Sequence, residues 1–350
     1  MSTDAPAQVP AQTAPRSRPG AALSAGIVVL AGAVVVAAGL SLVVGAKPLP
    51  WDTVLEALRH YDANDPDHLI VFELRVPRTL IGLLAGAALG LAGTLIQGVT
   101  RNPLADPGIL GVNAGAALAV VFGISVLGIS SFTGYVWFSF AGAAVAAAVV
   151  YAIGSLGREG ATPVKIALAG AALTAALESM TTAILLTDSL TYEEFRFWRV
   201  GSLAGRDGAA LVQAAPFLLV AVVLAIGCGR MLNALAIGDD LARAWGLNVA
   251  VARGICALAV VVLCGTATAL AGPIVFVGLT VPHIARRITG PDHRWILPYS
   301  MLIAPLLLLV ADMLGRVVVR PGELQAGIVT AVLGAPVFVA MIRRGKQAGL

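Results

Sequence analysis

The chain has 350 residues, of which 58% are hydrophobic and 12% charged, and its mean hydropathy is +0.90. That balance places it in lipid and excludes a water-soluble globular domain. Its net charge of +4 does not point to nucleic acid, and Cys228, Cys256 and Cys264 lie in apolar segments with no CxxC or Cys/His cluster, so neither a disulfide framework nor a zinc site is expected.

In chain order, residues 1–20 are rich in Ala, Pro, Ser, Thr and Gln and read as a disordered cytoplasmic tail. Residues 21–345 read as a single transmembrane domain and 346–350 as a second cytoplasmic tail. The apolar run 22–45 is too long for a signal-peptide core and stands as the first span. Membrane-length apolar segments recur at 79–98, 109–127, 132–156, 164–186, 209–227, 254–270, 274–288, 296–317 and 327–342. The expectation is an all-α polytopic membrane protein of about ten transmembrane helices, the eighth so short that it is tilted or only partly spanning. With the N-terminus inside, fourteen of the 23 Lys/Arg fall on the inner side, which puts both termini in the cytoplasm. Leu91-Ala92-Gly93 and Leu270-Ala271-Gly272 each precede an apolar run ending in a polar break, at Asn102-Pro103 and Pro282-His283. The two stretches lie five helices apart, so a five-plus-five inverted repeat is expected.

Four features carry chemistry. Arg75 and Arg78 stand i, i+3 around Pro77 at the start of the second span, an arrangement expected to send both guanidinium groups into water; headgroup anchoring is the plain alternative. Arg316 has Asp312 one turn earlier as a partner. Within Ala236 to Gly246, Asp239 is placed to cap a short helix and Gly246 to end it, with Leu241 and Trp245 on one face. Two aspartates against one arginine suit it poorly to anionic lipid, so a cleft in a partner protein is its expected seat. Glu178 sits in mid-span, where an ionisable group is expensive; it is expected to line a translocation path or to be protonated and hydrogen-bonded inside the bundle.

Weaker signals surround these. Thr162 can cap and Pro163 start the fifth helix. His283, with no partner suggesting a metal, reads as packed or headgroup-facing. Phe195, Phe197 and Trp198 read as an aromatic belt or vestibule wall. The only lysines, Lys47, Lys165 and Lys346, precede Pro, Ile and Gln, so the chain has no Walker A loop and no cofactor is expected in it. If ATP drives it, the ATP and Mg sit on another chain.

Arg75-Val-Pro-Arg-Thr-Leu, Asn102-Pro-Leu-Ala-Asp-Pro-Gly-Ile-Leu-Gly111, Trp198-Arg-Val-Gly-Ser-Leu203, Gly238 to Gly246, Gly272 to Ile284 and Gly327 to Pro336 together resemble the permease subunit of iron-siderophore and cobalamin ABC importers. The resemblance covers residues 70 to 345 in the same order. It implies a homo- or heterodimer of ten-helix permeases, two cytoplasmic ATP-binding subunits, an extracytoplasmic substrate-binding protein and a ferric siderophore as cargo, with cobalamin or haem as alternatives. Carried over by position, it assigns binding-protein docking to Arg75, Arg78 and Arg316. ATPase coupling falls to Gly238, Asp239, Leu241, Ala242, Trp245 and Gly246, and a gate to Thr162, Pro163 and Val164. Gln325-Ala326 departs from the family pattern at the start of the tenth helix. An ion-coupled secondary transporter using Glu178 is the alternative from another class.

Overall fold

The computed structural model describes residues 20–129, 132–156, 163–205, 208–320 and 322–347, and among these every regular element is helical. Helix α1 (Gly20–Val43) leads to short helices α2 (Trp51–Arg59) and α3 (Pro66–Leu69). α3 runs through a π-type turn (Ile70–Arg75) directly into α4 (Val76–Thr100). After a 3-10 turn (Pro107–Leu110) come α5 (Val112–Leu127), α6 (Phe132–Gly154), α7 (Pro163–Thr187) and α8 (Ser189–Arg199). The second half holds α9 (Gly208–Gly227), α10 (Gly229–Ile237), α11 (Asp239–Ala244), α12 (Val249–Ala271), α13 (Val277–Thr289), α14 (His293–Val318) and α15 (Ala326–Gln347).

Seven of these helices are long and apolar enough to cross a membrane, and α5 and α15 add shorter apolar stretches. The second span is longer than its apolar run: it begins at Pro66, where Asp65 accepts a hydrogen bond from the Asp67 amide. The π-type turn just before Pro77 answers a local need, because proline cannot donate and its ring crowds the carbonyl four residues earlier. The eighth segment is shorter than the apolar run 274–288. α12 stops at Gly272 (φ 71°), residues 273–275 are irregular, and α13 starts after Phe276, itself left-handed at φ 69°. Irregular backbone at such depth is tolerated where protein or a cavity covers it; Ile274 is buried, and Pro273 and Val275 line a cavity.

The core forms where α4 crosses α14, α12 and α13. Gly86 and Gly90 face the α14 backbone so closely that an added Cβ would lie 2.6 Å from Pro305 Cα and 2.4 Å from the Ser300 carbonyl oxygen. With no hydrophobic effect to bring helices together in lipid, backbone approach at small residues gives the contact, and the Thr94 hydroxyl adds a 2.9 Å bond to Ser300 Oγ. Gln97 reaches across from α4 and donates to the Leu279 carbonyl, 3.1 Å away, at the start of α13.

Exchanging α1, α4, α5, α6 and α7 for α9, α12, α13, α14 and α15 maps packed pairs onto one another. The pair α4/α14 becomes α12/α6, α4/α13 becomes α12/α5, and α1/α14 becomes α9/α6. The tripeptide echo does not mark equivalent places in this scheme, since Gly93 lies inside α4 whereas Gly272 ends α12.

Candidate functional site

At one end of the bundle, four arginines gather around the end of α1. Arg75 donates through Nη1 to the carbonyls of Leu42 and Val43 and through Nη2 to that of Lys47. Arg316 donates to the carbonyls of Ser41 (2.7 Å) and Val44 (2.9 Å), to the Ser41 hydroxyl, and twice to Asp312. Arg320 donates to the Gly45 carbonyl, 3.0 Å away. The last carbonyls of a helix have no partner within it and carry the negative end of its dipole, so these cations cap α1. Arg78 grips the buried Asp312 through Nε and Nη2 and reaches Glu323 at 2.6 Å with Nη1.

The expectation that Arg75 and Arg78 point into water is thus corrected. Arg75 is 5% exposed and the Arg78 side chain 11%, because the helix does not begin at these arginines; the end of α1 recruits Arg75, and Asp312 and Glu323 recruit Arg78. The pairing of Arg316 with Asp312 is present as the i, i+4 spacing allows. A pocket of about 210 Å³ remains, lined by Gly45, Lys47, Arg75, Arg78, Arg316 and Glu323. Its cations outnumber its carboxylates.

A cavity of about 450 Å³ opens between α5, α7, α8, α15 and the break at 273–275. Its wall is mostly apolar (Ala114, Ala117, Phe195, Val275, Ile328, Val332), with Asn113, Glu178, Thr181 and Arg199 as the polar members. Glu178 therefore faces a cavity and is exposed, not enclosed in the bundle. Asn113 Oδ1 accepts the Thr268 hydroxyl at 3.1 Å, tying α5 to α12. Phe195 and Trp198 are buried and stack at 5.2 Å, so they form the wall behind the cavity and not an exposed belt. Asp188 caps α8 by accepting from the Leu190 and Thr191 amides, and these bonds, with the Thr191 hydroxyl foremost, hold its carboxyl below the usual range.

The opposite end carries α10 and α11. Gly238, at φ 126°, precedes α11, and Asp239 is its first residue, so the expected cap at Asp239 is corrected. The Asp239 carboxylate instead bridges Arg101, at the end of α4, and Arg253, near the start of α12, at 3.0 Å. Arg101 also donates to the Leu235 carbonyl at 2.6 Å. Gly246, at φ 83°, ends the helix as expected, with Leu247 N–H bonded back to the Ala242 carbonyl. Ala242 is buried beneath, while Leu241 and Trp245 stand out at 52% and 69% exposure. On this side Asp292 caps α14; its bonds to Arg294 and Asn233 hold its carboxyl down to about 2. Pro163 is the first residue of α7 and Val164 is exposed, while Thr162 lies outside the described residues.

This arrangement has an arginine-lined basin at one end, a cavity along the bundle and an exposed, pinned helix at the other end. The family profile of the FecCD transport family matches residues 33–344. The chain belongs to this family. The FecCD-family chain is 49% identical to the ferric enterobactin transport system permease protein FepD of Escherichia coli (strain K12) over 315 residues, covering 90% of this chain and 94% of FepD. It is 42% identical to the probable siderophore transport system permease protein YfiZ of Bacillus subtilis (strain 168) over 307 residues, 88% of this chain and 92% of YfiZ. Among solved structures, one described as an inward-facing transporter of the metal-chelate ABC type superimposes with a TM-score of 0.79 at 26% identity, covering 92% of this chain and 99% of that one. This FecCD-family chain is a multi-pass transport permease of the bacterial cell membrane.

Sequence reasoning missed several residues that the FecCD fold brings into these sites. Arg101 and Glu323 act over long chain separations, Arg253 reaches back fourteen residues to Asp239, and no local pattern announces them. Arg199 was within reach: it follows Trp198 in a stretch that resembles the family, at the end of an amphipathic helix.

Proposed function

We propose that this chain is the membrane-spanning subunit of an ATP-driven importer of ferric siderophores. It works with a second permease, identical or paralogous, two cytoplasmic ATPases that hold ATP and Mg, and an extracytoplasmic binding protein. The observation that carries this reading is α11. A short helix whose outer face offers Leu241 and Trp245 to water, while Asp239 pins its base to α4 and α12, is built to receive a partner and transmit force. The names of FepD and YfiZ favour a siderophore as cargo.

The seven long helices together with α5, α13 and α15 support ten spans, and the Lys/Arg bias of the sequence favours both termini and α11 on the cytoplasmic side. The exchange of packed pairs between the two halves supports a five-plus-five inverted repeat. Docking of the binding protein then falls on the outer basin. Arg78 meets an acidic side chain there, while Arg75 and Arg316 supply positive potential and hold α1. The cavity bearing Glu178 is one wall of the translocation path, and Pro163 and Val164, with Thr162, stand at its cytoplasmic gate. Alternating access follows when ATPase closure and binding-protein docking each favour a different arrangement of the two permeases.

The test is uptake of labelled ferric siderophore, cobalamin and haem by cells lacking this protein. They are complemented with wild type or with Leu241→Glu/Trp245→Glu. Siderophore uptake restored by wild type alone is the expected result. Equal restoration by the variant would refute ATPase coupling through α11 and favour ion-coupled transport, and uptake of cobalamin or haem instead would change the cargo.

A further inference from the structure

We infer that Arg199 is a cargo-selecting residue of the permease, favouring ferric chelates of net negative charge over neutral ones. This rests on the reading of the chain as an iron-chelate importer.

The cavity of about 450 Å³ is in the size range of small-molecule sites, and Arg199 is a cation in its wall. Its position is set by the chain around it. The cap at Asp188 starts α8, Phe195 and Trp198 anchor its buried side, and the Gly327 amide donates to the Gly201 carbonyl at 3.0 Å just beyond its end. The guanidinium therefore stands on a fixed support against the cavity. The arginines of the outer basin are different, because Arg75, Arg78, Arg316 and Arg320 are all engaged by carbonyls or carboxylates of the protein. Arg199 is exposed and has no ion-pair partner among the described residues.

A cation among mostly apolar walls is costly unless water or an anion satisfies it. The guanidinium fork matches paired oxygens, and iron(III) chelates present such oxygens at their surface. Three hydroxamates neutralise iron(III), whereas catecholate or citrate donors leave the complex negative. The charge of the passing chelate is thus the property that Arg199 can sense. Glu178 shares the wall, nine residues or about 13 Å along α7 from its end at Thr187.

The experiment measures initial uptake of iron-labelled ferric citrate, a ferric tris-catecholate and a neutral ferric trihydroxamate in cells lacking the protein. Each variant is compared with wild type for the same cargo, so that selection by the binding protein cancels. Arg199→Gln is expected to lower uptake of the anionic chelates about tenfold, the worth of one charged hydrogen bond, while changing the neutral one less than about twofold. Arg199→Lys should restore part of the difference. Should the Gln variant fail to reach the membrane, Val332→Glu, which places a carboxylate in the same wall, should depress anionic uptake selectively. Equal loss for both chelate classes, or anionic uptake unchanged by both Arg199→Gln and Val332→Glu, would overturn the inference. A wild type that carries only neutral chelates would overturn it too, whereas one that carries no iron chelate at all would overturn the importer reading itself.

Discussion

Arg316 uses all five of its N–H donors inside the protein, on Asp312, Ser41 and Val44. Asp312 is 0% exposed and holds Arg78 as well, so it neutralises two guanidinium groups. Breaking a buried pair leaves an uncompensated charge, and Asp312→Asn is expected to destabilise the protein by about 3–5 kcal/mol in thermal unfolding of the detergent-solubilised permease. Glu323, partly exposed on its pair with Arg78, is different: Glu323→Gln should cost about 1 kcal/mol or less. Equal losses in the two variants would contradict this division of the basin. The i, i+4 link from Asp312 to Arg316 could be read from spacing. That Arg75 turns toward α1 could not, because the partners are backbone carbonyls some thirty residues away, brought close only by packing.

Helix α4 shows how an element's sequence encodes its neighbours. Gly86 and Gly90 recur at one turn's spacing and meet the α14 backbone, whereas Gly32 on α1 has nothing within 4 Å of an added Cβ. Gly90→Val should therefore remove most of the folded protein from the membrane, through an overpacking cost of about 1–3 kcal/mol or more, and Gly32→Val should be tolerated. Quantitative immunoblots of membranes check both; normal accumulation of the Gly90 variant would refute the crossing. The shortness of the eighth helix was readable from its apolar run. Its true start was not: Gly272 has positive φ and Phe276 is left-handed, in a break packed against the Trp198 carbonyl and Gly334, contacts that no local pattern announces.

For the whole molecule, α7 and α15 carry exposed apolar residues, Val164, Leu168, Leu186, Val332 and Val339 among them, and Val332 also lines the cavity. In the proposed dimer, a second permease would cover these faces and complete the path. A photo-crosslinking residue in place of Val164 should accordingly capture the neighbouring permease in the assembled complex, identical or paralogous, with a yield that changes when ATP is added. Capture of lipid alone, with or without ATP, would sink both the gate and the dimer geometry.

Composition alone determined the solvent, and apolar length determined the approximate number and order of the helices, because each span must satisfy its own backbone in lipid. The short helix near residue 240 was equally local: its closing glycine and the exposed pair at i, i+4 follow from chain geometry. Tertiary structure decided where charges end up. Arg75 and Arg316 cap α1, Asp239 bridges two arginines, and Arg199 is left facing a cavity. In a low-dielectric interior a charge goes where carbonyls or counter-charges from distant elements can receive it, and only the folded chain specifies which elements those are.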